Sequence, residues 1–426
     1  MTGTFTKPAT VVSPTESPFA EKCLIYPKLM FFCIGVISFC LSDPSSTLPR
    51  WRAHIMPLIL LILSSIIGSL ILSIIADKYK MYRSMLAIIA IALPLLATFY
   101  PLQEAVQQDF YSLLPFHLLY VFQYFFLGGL VPIANALTLG KITSTEQYGA
   151  QHAFAPLGYL CFALLFAQFP IMDFSFNYNI MLFFSIIFLV ALYKFDVNAD
   201  VAGQYQAKEQ TQYKKDQSSP FKRLFTEPRF IILFIGLLIS GFNSSYVKVT
   251  FKAFINSLAD EDYSIKLMKN ETLYLSCIFD AAVYFSHKQM IQSFGTNWMF
   301  AIGHGLLVLR TLGFYFITPG DDVPKKVFLF DITNGIISGL ITLTSVQTAA
   351  DLASNAVSAT SQSIFNIAHT SLASFVVFFV SVVELTSIRA IYVTTSVLGI
   401  IILIIIGGFL DELFPRKATP KSLDFW

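Results

Sequence analysis

The chain has 426 residues, 55% hydrophobic and 13% charged, with 43 Phe, 28 Lys and Arg against 26 Asp and Glu, and a mean hydropathy of +0.66. Soluble domains are about a quarter charged, so this composition excludes a water-soluble globular fold and puts most apolar surface against lipid or neighbouring helices. A net charge of +2 offers no basic field for nucleic acid, and five scattered cysteines without a Cys/His cluster predict inert thiols, no metal site and no cofactor.

Residues 1–26 are rich in Ser, Thr and Pro and lack an apolar core, which predicts a disordered tail rather than a cleaved signal peptide. A helix crosses a bilayer in about 20 residues. Runs of that kind predict spans at 27–48, 54–76, 84–101, 112–140, 149–171 and 175–195. The segment 196–228 is polar, has no apolar stripe and reads as a flexible central loop ending in a short interfacial helix. Further runs at 229–250, 271–289, 297–318, 326–347, 359–384 and 388–410 complete an all-α polytopic membrane protein of twelve spans. The two six-span halves are then 27–195 and 229–410, with a polar tail at 411–426.

Cations in the loops set the orientation. With both termini cytoplasmic, the inner side holds most of them: Lys78, Lys80, Arg83, Lys141, Lys288 and those of the central loop and tail. The sequon at Asn270 then falls outside, as glycosylation in a plasma membrane or endomembrane requires.

Ionisable groups inside spans are expensive and are read first as functional. They are Asp43, His117, His152, Asp280, His304, Arg310, Asp331, His369 and Glu384. Arg310 cannot shed its proton, so burying it demands an acid; Asp280 and Asp331 on the adjacent spans supply two. One acid exchanging a proton beside the arginine and a static ion pair are equally open. His117, His304 and His369 read as helix-packing residues, and Asp43, followed by Pro44, as the residue just past the first helix.

Several stretches carry a family resemblance. "SIIADKYKMYR" (Ser73 to Arg83) resembles the loop between helices two and three of the major facilitator superfamily, G-x-L-A-D-[RK]-x-G-[RK]-[RK]. "YPKLMFFCIGV", "YGAQHAFAPLGYL", the segment from Phe285 to Phe316 and "FDITNGIISG" are similar to the first, fifth, eighth-to-ninth and tenth helices of its lactose-permease-like and nucleoside–proton-symporter-like branch. The resemblance implies two pseudo-symmetric six-helix halves, rocking around a midplane site. It implies a secondary transporter of a small polar organic solute, sugar- or nucleoside-like, coupled to protons and acting as a monomer. A uniporter of the same fold, or a transporter-like receptor that no longer transports, is the alternative. No nucleophile–base set suggests an enzyme.

The resemblance also assigns residues. Arg310 matches the helix-nine arginine, Asp280 lies one turn from the usual acid, and Asn334 stands where a histidine is usual, leaving Asp331 to take the proton. Asn135 and His152, with Gln151 beside, replace an acid and an arginine that grip a sugar hydroxyl; Tyr159 is an aromatic candidate for the same cavity. Asp77, Lys78 and Arg83 form the gating loop, with Asp77 expected near the start of helix eleven. Ser73 and Lys80 stand where the family has Gly, so the turn at Lys80 must differ or be strained.

Overall fold

A computed structural model describes residues 25–42, 55–98, 110–142, 145–168, 174–199, 224–256, 262–318, 323–353, 357–382 and 388–408. The N-terminal tail, 200–223 of the central loop, the C-terminal tail, Asp43 and Glu384 lie outside these residues, as do the side chains of His117 and Asn270.

The described chain is helical throughout. In the first half, α1 (Ile25–Ser42), α2 (Ile55–Tyr79), α3 (Tyr82–Ala97) and α4 (Phe110–Lys141) are followed by α5 (Tyr148–His152), α6 (Phe154–Gln168) and α7 (Phe174–Ala199). The second half holds α8 (Pro228–Asn256), α9 (Asp262–Phe285), α10 (His287–Phe316), α11 (Val323–Asp331) and α12 (Thr333–Leu352). It ends with α13 (Ser358–Asn366), a π turn at Ile367–Leu372, α14 (Ala373–Val382) and α15 (Ile388–Gly408). Among the described residues, eight helices are long and apolar enough to cross a membrane; Ile25–Leu41, Tyr82–Ala97 and Thr272–Phe285 are shorter apolar helices.

Each predicted span coincides with one of these helices or with a broken pair. The fifth span is interrupted at Ala153 because Pro156 lacks an N–H and its ring conflicts with the carbonyl four residues earlier. The tenth breaks at Ile332, between α11 and α12, and the eleventh widens into the π turn. The eighth differs most from expectation. It starts earlier, at Asp262, and stops at Phe285 rather than 289; the following loop is itself helical, as α10 begins at His287 and kinks at Gly295.

Packing repeats between the halves. In the first, α2 packs on α4, α1 on α6 and α7, and α3 on α4 and α7. In the second, α9 packs on α12, α8 on the π turn, α14 and α15, and α10 on α12 and α15. That is one pattern used twice, as an internal repeat about a pseudo-twofold requires. The halves meet where α6 faces α9 and where α2 and α4 face α13. Outer faces carry bare apolar side chains, such as Ile67, Ile71 and Ile74 on α2 and Ile401 and Ile404 on α15. Such faces are costly in water and natural in lipid.

Candidate functional site

The loop between α2 and α3 reaches into the opposite half. Asp77 is 4% exposed although it carries a carboxylate. Its Oδ1 accepts the Ala359 N–H at 3.0 Å and the Tyr82 hydroxyl at 2.7 Å. Its Oδ2 accepts the Thr360 N–H at 2.7 Å and the Thr360 hydroxyl at 2.6 Å. The reason lies at the start of α13. The first N–H groups of a helix have no partner within it, and α13 has no side-chain cap of its own at Val357. Asp77 caps the helix from the other half, where the positive end of the helix dipole favours its charge.

The rest of the predicted gating loop is arranged around that carboxylate. Lys80 holds φ at 54°, in the left-handed region that favours Gly, so of the two expectations, a different turn or a strained one, it is the strained one that the backbone takes. Its ammonium lies 5.8 Å from the centre of the Tyr82 ring. Arg83 lays its guanidinium 4.9 Å from the Tyr193 ring of α7, and Lys78 is exposed beside Tyr79.

A second contact between halves stands at the start of α10. Gln292 donates to the Glu146 carboxylate at 3.3 Å, and both ends are open to solvent. Beneath it α5 runs tight against α9 and α10. A Cβ on Gly149 would sit 2.4 Å from the Cβ of His287 and 2.6 Å from the Tyr284 carbonyl, so only glycine allows this approach.

Behind these clasps lies an aromatic seal. The Tyr148 hydroxyl donates to Asn135 Oδ1 at 2.7 Å and stands 2.8 Å from His152 Nδ1. The hydroxyl has one proton, and Asn135 receives it. The network therefore assigns the proton of His152 to Nδ1, donating to the Tyr148 oxygen and leaving Nε2 as an acceptor. The His152 ring packs against Phe31 of α1 and, across the halves, Tyr284 of α9, with centroids 4.7 and 4.8 Å apart. Asn135, Gln151 and His152 are all buried; His152 reaches the seam between halves through Tyr284, and Asn135 is joined to it through Tyr148. Tyr159 is turned elsewhere, edge-on to Phe39 at 5.2 Å.

The three charges anticipated in the second half separate. Arg310, 2% exposed, pairs with Asp331 through Nη2 and Oδ1 at 2.5 Å, with Phe314 5.4 Å from the guanidinium. Asp280 instead lies against Gly339 of α12, one turn before Tyr284 on its own helix. Asn334 donates to Ser276 at 3.2 Å, tying α12 to α9. His304 sets both ring nitrogens 3.1 Å from backbone carbonyls, of Phe300 and of Gly236 on α8, as a packing residue would. Asn270 lies on α9. Among the described residues no group of three or more His, Cys, Asp or Glu could hold a metal ion.

Tyr82, Tyr148, Tyr284, Ala359 and Thr360 are the participants the sequence did not single out for these contacts. Tyr82 and Tyr148 stood inside quoted motifs without a role of their own; Tyr284 was one of many aromatics, and backbone donors leave no mark in a sequence.

A family model described as "MFS_1 like family" matches residues 53–406. No curated protein matches the chain significantly by sequence. Among solved structures, the human organic anion transporter MFSD10 (TETRAN) is similar with a TM-score of 0.66 at 13% identity, over 92% of this chain and 100% of that one. The nucleoside transporter NupG is similar with a TM-score of 0.57 at 14% identity, over 92% and 99% of the two chains. At such identities the likeness is one of fold.

Proposed function

The chain belongs to the MFS_1 like family, a divergent branch of the major facilitator superfamily, and from that premise we propose that it is a secondary transporter of a small polar organic solute, driven by protons. It is a multi-pass integral membrane protein with a transporter fold, and the family is one of transporters rather than enzymes. In our reading it acts as a monomer with both termini in the cytoplasm, so that Asp77, Gln292 and the seal around His152 form its inner gate.

The observation that carries the proposal is the clasp of Asp77 on the start of α13. The clasp joins the two halves through a handful of polar contacts at one end, which a rocking motion can break and remake. A structural brace would more economically be apolar, since a buried carboxylate is costly to desolvate. The buried Arg310–Asp331 pair supports proton coupling, because protonating Asp331 would release an arginine that cannot change its own charge.

The test is uptake into proteoliposomes, with radiolabelled uridine and glucose as first solutes and with or without an inward proton gradient. Uptake above that of empty liposomes, raised by the gradient, is expected. Uptake indifferent to the gradient would make the protein a uniporter and the ion pair structural. No uptake of any solute in a broad panel would overturn transport and favour a receptor.

A further inference from the structure

Arg310 is only half used. Its Nη2 meets Asp331, while Nε and Nη1 are buried without a hydrogen-bond partner. Each buried donor left unmade costs about 1–3 kcal/mol, and an arginine cannot escape by deprotonation. Asp331 offers a single-point contact where guanidinium and carboxylate can pair at two points. The arginine is also set among rings: Phe314 beside the guanidinium, then Tyr392 with its centroid 5.7 Å from Phe314, 5.4 Å from Phe254 and 6.0 Å from Tyr246.

A second unsatisfied group shares that neighbourhood. Asn243, 1% exposed, has neither amide atom hydrogen-bonded. It precedes Tyr246 by three residues and Thr250 by seven, which puts all three on one stripe of α8. That stripe faces Tyr392, since the Thr250 hydroxyl lies 3.4 Å from the Tyr392 hydroxyl. Arg310, with two donors unmade, thus sits at this aromatic cluster, and the unpartnered Asn243 lies on the stripe of α8 that faces it.

Resting on the transport reading above, we propose that Arg310 is the binding group for a carboxylate on the transported solute, with Asn243 as a polar anchor and the rings of Tyr246, Phe314 and Tyr392 packing on its body. The substrate class is then a small organic monoanion. Charge balance ties its binding to a proton. Arg310 and Asp331 together are neutral, so a second carboxylate would leave a net negative charge in a buried site. A proton on Asp331 Oδ2 restores neutrality: the anion takes the guanidinium edge, and Asp331 becomes a neutral acid. One anion and one proton therefore move together, with no net charge carried. The other groups around the pair are Tyr392 from α15 and Tyr246 from α8. α9 and α12 contribute the neutral pair Ser276 and Asn334 nearby, and Lys325 and Lys326 on α11 itself are exposed.

The experiment is thermal unfolding of the full-length protein in detergent at pH 5.5 and 7.5. The probes are benzoate against benzamide and glucuronate against glucose, so that each carboxylate has a neutral counterpart. A saturable rise in Tm is expected with at least one carboxylate and not with its counterpart. Its apparent affinity should strengthen by up to about tenfold per pH unit towards acid, as uptake of one proton demands. Asp331→Asn, which mimics the protonated acid, should keep the response and lose its pH dependence. The double variant Arg310→Gln/Asp331→Asn leaves no lone charge behind and should unfold cooperatively but lose the response. Neutral probes matching the carboxylates, or a response that survives in the folded double variant, would overturn the proposal. So would a folded Asp331→Asn protein that ignores every carboxylate. Failure of the transport reading looks different: carboxylates bind, yet proteoliposomes take up no solute. Uridine uptake without any carboxylate response would remove the anion site and leave transport standing.

Discussion

One device stands twice at the same end of the molecule, once in each half. Asp77 comes three residues before Lys80, and Gln292 three residues before Gly295; among the described residues, Lys80 and Gly295 alone have positive φ. Each of these groups crosses to the region where the other half's fifth helix begins: Asp77 to α13, Gln292 to Glu146 just ahead of α5. There the equivalence ends. Asp77 is buried and receives four hydrogen bonds; Gln292 and Glu146 share one, in water. The pseudo-twofold has kept the geometry of the clasp and concentrated its strength in one copy.

Removing the strong copy should have the largest effect. Asp77→Ala strips two backbone N–H groups of α13 and the Thr360 hydroxyl of a charged acceptor. Hydrogen bonds to charged groups are each worth about 1.5–3 kcal/mol, so losing two moves the closed–open balance by about a hundredfold or more. Transport should fall steeply at near-normal surface expression. Spin labels at the exposed positions Lys78 and Lys288 should report wider separations. Equal uptake at equal expression would reduce the loop to a topology signal.

The sequence disclosed these parts unevenly, for physical reasons. Spans were legible because lipid demands long apolar runs, and most of those runs end within a few residues of the observed helices; α9 and α10 start well before the runs expected from 271 and 297. The break at Ala153 was written in Pro156; those at Ile332 and Ile367 carry no such mark. Arg310's need for an acid follows from its chemistry. Which acid answers depends on how α10 and α11 are rotated against each other, so Asp280 and Asp331 looked alike until the fold separated them. The loop motif disclosed Asp77 but not its partners, because Ala359 and Thr360 offer mainly backbone N–H groups, which every residue but proline has.

The two pivots sharpen the comparison from another side. Gly295 has φ 76° and ψ 160°, a region essentially reserved for glycine. A Cβ there meets no neighbour within 4 Å, so any cost is purely conformational. Gly295→Ala should destabilise the protein by about 1–3 kcal/mol, read as a lower Tm in detergent. A wild-type Tm would mean that the kink relaxes freely and that the weak clasp has no fixed pivot. Gln292→Ala should do less. An exposed polar pair is worth up to about 1 kcal/mol, so uptake should stay within about fivefold of wild type. An effect as large as that of Asp77→Ala would abolish the asymmetry.

Lys80→Gly should change stability least, and its value lies in its sign. A side chain in the left-handed region costs about 1–2 kcal/mol, whereas glycine gives back about 0.5–1 kcal/mol in extra chain entropy on unfolding. Lys80 also places its ammonium 3.5 Å from the Tyr82 hydroxyl, the group that donates to Asp77. Net stability should therefore move by only a few tenths of a kcal/mol. The informative readout is the closed fraction, measured with the same spin labels. If the turn keeps its shape in both states, the strain cancels and the fraction stays put. If the turn unwinds when Asp77 lets go, the lysine's strain is confined to the clasped state, and glycine should favour closure by up to about tenfold. In that case the strong clasp carries a built-in opposing strain that its glycine-pivoted counterpart lacks, and the two copies differ in how readily they release as well as in how tightly they hold.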